Sequence, residues 1–378
     1  MNIFRLFPLL IFIFALLRFV LPLGIGKAWK AVIALILLAI SQQRFLLGII
    51  FPSIAMTELP SGIIVFNGFL FSIVALLTVF VALRDVFGLI FLLCRRKPPS
   101  FLFSSGRLAL ALFGASVFLS IFGVWQGIRV PDVRRLEITL RNLPPGLDGL
   151  TIVQLTDTHI NRVFSEEWTR TVVEKTNALD PDIVLITGDT VDGAPERRFT
   201  DVTPLGELKA RIGVFGAPGN HDYSYYVDWM HIFNELGIQM LLNEHVVITH
   251  NGNSLALIGI TDIAAAWRGY PMPDIEAALS GIPDSVTRIL MSHRPENARE
   301  NADAGVDLQV SGHTHGGQLY GLSFIVKRAN KGFVSGLYNV GNMRLYVSNG
   351  AGLWAGFPVR IGRPSEITYI ILRTPPDD

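Results

Sequence analysis

Four long apolar runs fill the first third of the chain. Short apolar runs, separated by polar and helix-patterned stretches, fill the rest. The long runs are roughly 4–23, 29–50, 63–82 and 108–125, each near the ~20 residues that cross a bilayer as a helix. They predict an N-terminal bundle of about four transmembrane helices over residues 1–127. The first run lacks the small-residue cleavage site of a signal peptide, and three more runs follow it. Arg18 interrupts the first run, and Gln42, Gln43 and Arg44 interrupt the second. Polar groups at that depth are costly, so Arg18 and Arg44 are expected to pack between helices or reach the interface. No acid falls inside a run, which argues against an ion-transport path.

Residues 128–149 read as a connector with a turn at Leu143-Pro144-Pro145-Gly146. From 150 to 378 the pattern is that of alternating β and α elements. Residues 150–155, 182–187, 213–217, 254–260, 287–291 and 307–310 read as buried strands. Two more, 345–348 and 366–372, follow without a long helix between them. Ser165 is placed to cap a helix whose apolar stripe is Trp168, Val172 and Val173.

Charge divides the chain at the same place. Residues 1–125 hold ten Lys/Arg against two acids, Glu58 and Asp85, a balance of +8; the remainder holds 22 against 29, or −7. An acidic soluble part argues against nucleic acid as its partner, and none is expected. Lys27 and Lys30 follow the first run, and Arg95, Arg96, Lys97 and Arg107 follow the third, whereas 52–62 has no Lys or Arg. Basic loops stay in the cytoplasm, so four spans place the soluble domain outside it, against the pull of Arg129, Arg134 and Arg135 after the last run. A mean hydropathy of +0.43 agrees with a multi-pass protein of the cell membrane. The single cysteine, Cys94, excludes an intramolecular disulfide and a cysteine-rich metal site.

Chemistry collects where the strands end. Asp157 and His159 follow the first strand, Asp189 the second, and Asn220 and His221 the third. His293 follows the fifth, and His313 and His315 the sixth. Only His231, His245 and His250 of the eight histidines lie elsewhere. Sites in open α/β sheets form at the carboxyl ends of strands. Taken alone, Gly219-Asn220-His221-Asp222 reads as a polar turn; five strand ends that each carry His, Asp or Asn do not. Asp157-x-His159 and His313-x-His315 read as extended, so each pair points one way. Seven N and O donors exceed the needs of a tetrahedral zinc. They suit two divalent ions, Mn, Fe, Zn or Co, and not Cu(I). Two cations roughly 3.5–4 Å apart acidify a water and clamp an in-line displacement at phosphorus. His221 is then free to give a proton to the leaving oxygen, with Asp222 orienting it and keeping it charged. Asp192 reads as a solvated carboxylate, and Arg360 as a surface ion pair rather than a phosphate ligand. Tyr223, Tyr225, Tyr226 and Trp229 read as packing or as the wall of a substrate cleft.

Asp157-Thr158-His159, Gly188-Asp189, Gly219-Asn220-His221-Asp222, His293 and Gly312-His313-Thr314-His315 resemble the five blocks of the calcineurin-like metallophosphoesterases in order, identity and approximate spacing. Gly316-Gly317-Gln318, Gly350-Ala351-Gly352, Arg360 and Pro364 look like the membrane-associated bacterial branch of that superfamily. The resemblance covers the soluble domain and not the apolar runs. It implies a four-layer α/β/β/α sandwich. It also implies one metal on Asp157, His159, Asp189 and His315, and another on Asp189, Asn220, His293 and His313, with Asp189 bridging. The expected protein is a membrane-anchored phosphoesterase that hydrolyses a phosphoester or pyrophosphate bond of a phosphorylated small molecule or a lipid-linked substrate. The competing reading is a non-catalytic membrane sensor that binds metal or phosphorylated lipid.

Overall fold

The computed structural model describes residues 3–50, 58–94, 97–99, 101–104, 106–354 and 356–376. Residues 52–57 of the loop without Lys or Arg, and Arg95 and Arg96 of the basic one, lie outside that set. The chain forms two compact units, Met1–Gln126 with Ala355–Val359, and Gly127–Trp354 with Arg360–Asp378.

The first unit is helical. Among the described residues two helices, Ser61–Leu93 and Gly106–Ile128, are long and apolar enough to cross a membrane, not the four expected. The first apolar run forms Ile3–Ala15 and a wider turn at Leu16–Val20. The second breaks at Gln42 into Lys27–Ser41 and Gln43–Ile50. Gln43 sends its amide to the Asn67 carbonyl (3.0 Å). Polar side chains inside the run thus end a helix that hydrophobicity alone would continue. Arg18 is exposed and reaches to the neighbouring helix, its Nε 2.6 Å from Asp85 Oδ2, while Arg84 donates to the Arg18 carbonyl. Asp85 lies well inside Ser61–Leu93, so an acid does sit within an apolar helix, neutralised by two arginines rather than open to a path.

Among the described residues the second unit holds twelve strands: β1 Asp132–Thr139, β2 Thr151–Leu155, β3 Ile183–Thr187, β4 Gly213–Ala217, β5 Ile238–Met240, β6 Glu244–His250, β7 Asn253–Gly259, β8 Thr287–Met291, β9 Leu308–Ser311, β10 Gly336–Val340, β11 Met343–Val347 and β12 Glu366–Arg373. They form two six-stranded sheets, ordered β1-β12-β2-β3-β4-β5 and β10-β11-β9-β8-β7-β6. All eight anticipated strands are present. Within 128–149, expected as connector, β1 pairs in parallel with β12 along eight residues.

Alternation of side chains builds the layers. Ile152, Ile183, Leu185, Ile289, Met291, Leu308 and Val310 face inward and make one core between the sheets. Val153, Leu155, Val184 and Ile186 face out onto Trp168, Val172, Trp229 and Phe233 of two helices. Ala256, Ile258, Leu290, Leu345 and Val347 face the opposite way onto Ala278 and Ala298. The result is helix, sheet, sheet, helix. Ser165 does precede the helix Glu166–Asn177, but its side chain makes no cap; Asp201 Oδ1 accepts the Glu166 N–H instead (3.0 Å). Register sets the site. Leu155 sits opposite Ile186 and Thr187 opposite Ala217, so β2, β3 and β4 end level. Met291 and Val310 end level in the other sheet.

Candidate metal centre

The loops after β2, β3, β4, β8 and β9 converge at one end of the sandwich. Gln154, buried between the sheets, ties them there, donating to Thr187 Oγ1 (2.8 Å) and to the Ser311 carbonyl (3.0 Å). Asp157, His159, Asp189, His293 and His315 are buried. Among the described residues three groups have ligand atoms within 4.8 Å of one another: Asp157, His159 and His315; His159, Asp189 and His221; Asp189, His293 and His313. Asp189 Oδ2 is the meeting point, 3.2 Å from His293 Nε2 and 3.6 Å from His159 Nε2. On the far side His315 Nε2 lies 3.5 Å from Asp157 Oδ1 and 3.3 Å from His159 Nε2.

Backbone geometry differs from the extended Asp-x-His and His-x-His reading. Asp157, His159, Asp189, His313 and His315 all have φ between +44° and +67°. That left-handed region costs non-glycine residues about 1–3 kcal/mol each, and such strain gathers at functional sites. The chain turns after each strand so that successive side chains curl into one space. Glycines make room: a Cβ on Gly219 would sit 2.3 Å from Asp189 Oδ1, and one on Gly312 2.1 Å from Asp157 Oδ2.

The donor set fits divalent metal. His293 Nδ1 is 2.9 Å from the Thr187 carbonyl and donates its proton there, which turns Nε2 toward Asp189 as the nitrogen that would meet a metal. His293 Nε2 and Asn220 Oδ1 are buried without a hydrogen-bond partner, the condition of atoms waiting for a ligand. His221 N donates to Asp189 Oδ1 (2.8 Å) and fastens the Asn220 loop to the central carboxylate.

Two expected roles exchange. Asp222 does not touch the His221 ring. It accepts from the backbone N–H groups of Gly219 (2.7 Å), Asp189 (2.9 Å) and Thr190 (3.0 Å), and so staples two ligand loops together. Burial and the Asp189 charge push its pKa up to about 6, against those N–H groups. Asp192 is the partner of His221 and is buried, not solvated. Its Oδ1 lies 2.6 Å from His221 Nδ1 and 3.2 Å from His159 Nδ1. Burial works against its charge, but the two imidazoles outweigh that and hold it well below the usual carboxylate range. For His221, burial pulls down while Asp189, Asp192 and Asp222 pull harder up, to about 9. The signal for Asp192 was its place three residues after Asp189, where a turning loop brings it back to the site.

Other side chains also differ from expectation. Arg360 is neither on the surface nor open to phosphate. It is fully buried and donates to the carbonyls of His315, Asn349, Gly352 and Arg363. Arg294, not singled out in the sequence, bridges Asp262 Oδ2 and His313 Nε2, both at 2.8 Å. Tyr223 and Tyr226 stack at 4.6 Å, and Trp229 is core. Tyr225 is exposed and lines a cavity of about 340 Å³ with Tyr223, Tyr226, Arg268 and Tyr270.

The family described as calcineurin-like phosphoesterase matches residues 150–317. A protein of Danio rerio named transmembrane protein with metallophosphoesterase domain is 35% identical over 266 residues, 68% of this chain and 60% of its own length. The chain therefore spans about three fifths of that relative. An uncharacterized metallophosphoesterase of Campylobacter jejuni is 34% identical, covering 70% of this chain and 69% of that protein. One of Bacillus subtilis is 31% identical, covering 64% and 86%.

Proposed function

This chain belongs to the calcineurin-like metallophosphoesterases, and from that premise we propose a membrane-anchored hydrolase of phosphoester or pyrophosphate bonds that works with two divalent cations. Asp157, His159, Asp189 and His315 would hold one, and Asp189, Asn220, His293 and His313 the other. The observation that carries the reading is Asp189 Oδ2, set between His293 Nε2 at 3.2 Å and His159 Nε2 at 3.6 Å. When bound, such a pair neutralises charge on a phosphoryl group and lowers the pKa of water. Nitrogen and oxygen donors without thiolate suit Mn, Fe or Zn.

The protein's own groups divide the remaining work. His221, with 38% of its side chain exposed, is placed to meet a leaving group. Asp192 accepts a hydrogen bond from its Nδ1–H and favours the charged ring, which leaves the Nε2 proton for donation. Asp222 holds the two ligand loops at a fixed separation. The two span-length helices and the relatives named transmembrane proteins support a multi-pass anchor, and the basic-loop pattern supports a domain outside the cytoplasm. The substrate class is a phosphorylated small molecule or a lipid-linked phosphoester.

The test is the purified full chain, assayed for bound metal and for hydrolysis of bis(p-nitrophenyl) phosphate. Two metals per chain, with turnover lost to chelator and restored by Mn, support the reading. A chain that binds metal yet cleaves no monoester, diester or pyrophosphate returns it to the class of sensors.

A further inference from the structure

Just after His315 the chain leaves the site and forms a lip that the reading above does not use. Gly316 and Gly317 turn it outward with φ of +62° and +77°. A bridge between Leu319 and Ile361 fixes its base; Tyr320 N donates to Ile361 O (3.1 Å) and Ile361 N to Gln318 O (3.0 Å). Beyond it Tyr320, Leu322, Phe324 and Ile325 are 65%, 40%, 71% and 68% exposed. Single exposed apolar residues need no explanation, but four within six residues do.

Charge says what covers them. The soluble unit is acidic as a whole, yet residues 308–365 contain six Lys/Arg and no Asp or Glu. Two of the six, Lys327 and Arg328, are exposed on the short helix Ser323–Ala329 that also carries Phe324 and Ile325. Arg363 lies over the Tyr320 ring at 5.6 Å. Apolar and aromatic side chains beside basic ones match the headgroup layer of an anionic bilayer, where rings settle at the boundary and cations meet phosphates.

Connectivity says that a bilayer is within reach. Ile361 is two residues past Val359, the end of a segment that belongs to the helical unit. In that unit Phe357 meets Phe71 edge-on at 5.8 Å, and Pro358 fills the space that a Cβ on Gly68 would need. Two residues of chain span at most about 7 Å, so the base of the lip is tethered close to a segment seated on a span-length helix.

We propose that the lip, residues 319–328, lies in the headgroup layer of the bilayer that holds the helices. Its apolar side chains enter the interface, Lys327 and Arg328 meet anionic lipid, and the site beside it takes phosphoesters carried by lipids. The substrate class rests on the hydrolase reading; the position of the lip does not.

The experiment uses the full chain in vesicles of phosphatidylcholine and phosphatidylglycerol, with Cys94→Ser and a bimane label on Phe324→Cys or Ile325→Cys. Brominated acyl chains are expected to quench both labels, and aqueous iodide to quench them weakly. A label on Asp284→Cys, at a fully exposed position, reports unhindered iodide quenching. Lys327→Gln with Arg328→Gln should weaken the lipid quenching. Labels at 324 and 325 that iodide reaches as freely as at 284 would overturn the lip's position, and an acidic protein partner would then be the better occupant. In parallel, Phe324→Asp with Ile325→Asp should slow a chromogenic phosphodiester carried on a lipid roughly tenfold, leaving bis(p-nitrophenyl) phosphate unchanged. Equal rates on the lipid-borne ester would overturn the substrate class. Absence of turnover on both esters in the parent chain strikes the hydrolase reading instead, and quenching alone then decides the lip.

Discussion

At the scale of residues, the site separates groups that hold charge from groups that move a proton. Asp189 faces both clusters through one oxygen, so its charge serves both. Asp189→Asn is expected to lose metal from both positions and turnover with it, as measured by metal analysis of the purified variant. Retention of two metals with near-normal turnover would remove the bridging role. His221→Ala is expected to keep its metals and slow by roughly 10²–10⁴, the usual contribution of a positioned acid. The loss should be full for an alkoxide leaving group and small for nitrophenolate, which departs without a proton. The 2.6 Å contact of Asp192 with His221 Nδ1 makes Asp192→Asn a milder copy of that leaving-group pattern. Asp222→Asn should behave differently. Its three backbone N–H contacts lie between ligand loops, so metal affinity should fall for every substrate alike. A leaving-group series run on all three variants tells the roles apart.

At the scale of elements, the working parts are loops in left-handed conformation at level strand ends. Regular strands cannot aim consecutive side chains into one point, because alternate residues face opposite sides of the sheet. The turns after β2, β3 and β9 escape that alternation at an energetic cost, met by packing from both sheets and by Arg360 beneath the loops. Glycine permits the close approach. Gly312→Ala places a methyl group 2.1 Å from Asp157 Oδ2, which must displace a candidate ligand. Metal content should drop while the circular dichroism of the fold stays near that of the parent. An unchanged metal content would mean that the Asp157 loop gives way freely.

At the scale of the molecule, the strand-bearing unit closes its inner core with a strand that precedes the recognised domain. Ile138 of β1 is fully buried between the sheets. Ile138→Asp would bury an unpaired carboxylate and is expected to cost about 3 kcal/mol or more, seen as a lower melting temperature of the domain. A melting temperature like the parent's would make β1 a dispensable edge. Orientation belongs to this scale as well. An alkaline-phosphatase reporter fused after Asp378 should be active and a fluorescent cytoplasmic reporter dim. The reverse pair would place the domain in the cytoplasm and give Arg129, Arg134 and Arg135 the deciding weight.

Much was legible in the chain because it is local. Short continuous apolar runs mark β2, β3, β8 and β9, which are buried on both faces, and β4 beside them; residues with ligand chemistry stand directly after them, so strands and donors could be read in order, while the four layers came from the family resemblance. β1, β5, β6 and β10 could not. They lie at sheet edges with half-exposed patterns such as that of Asp132–Thr139, and only a neighbouring strand makes them strands. Apolar length marked where helices lie in the first third, but Gln42 and its neighbours decided where they stop. The partner of His221 was beyond sequence too. Asp192 and Asp222 are both carboxylates a few residues from the centre, and their separate roles depend on which one a folded loop brings within 2.6 Å of a ring nitrogen. Residue chemistry and periodicity are carried by neighbours along the chain, whereas choice among like groups is made by distance through space, and only the tertiary structure sets that.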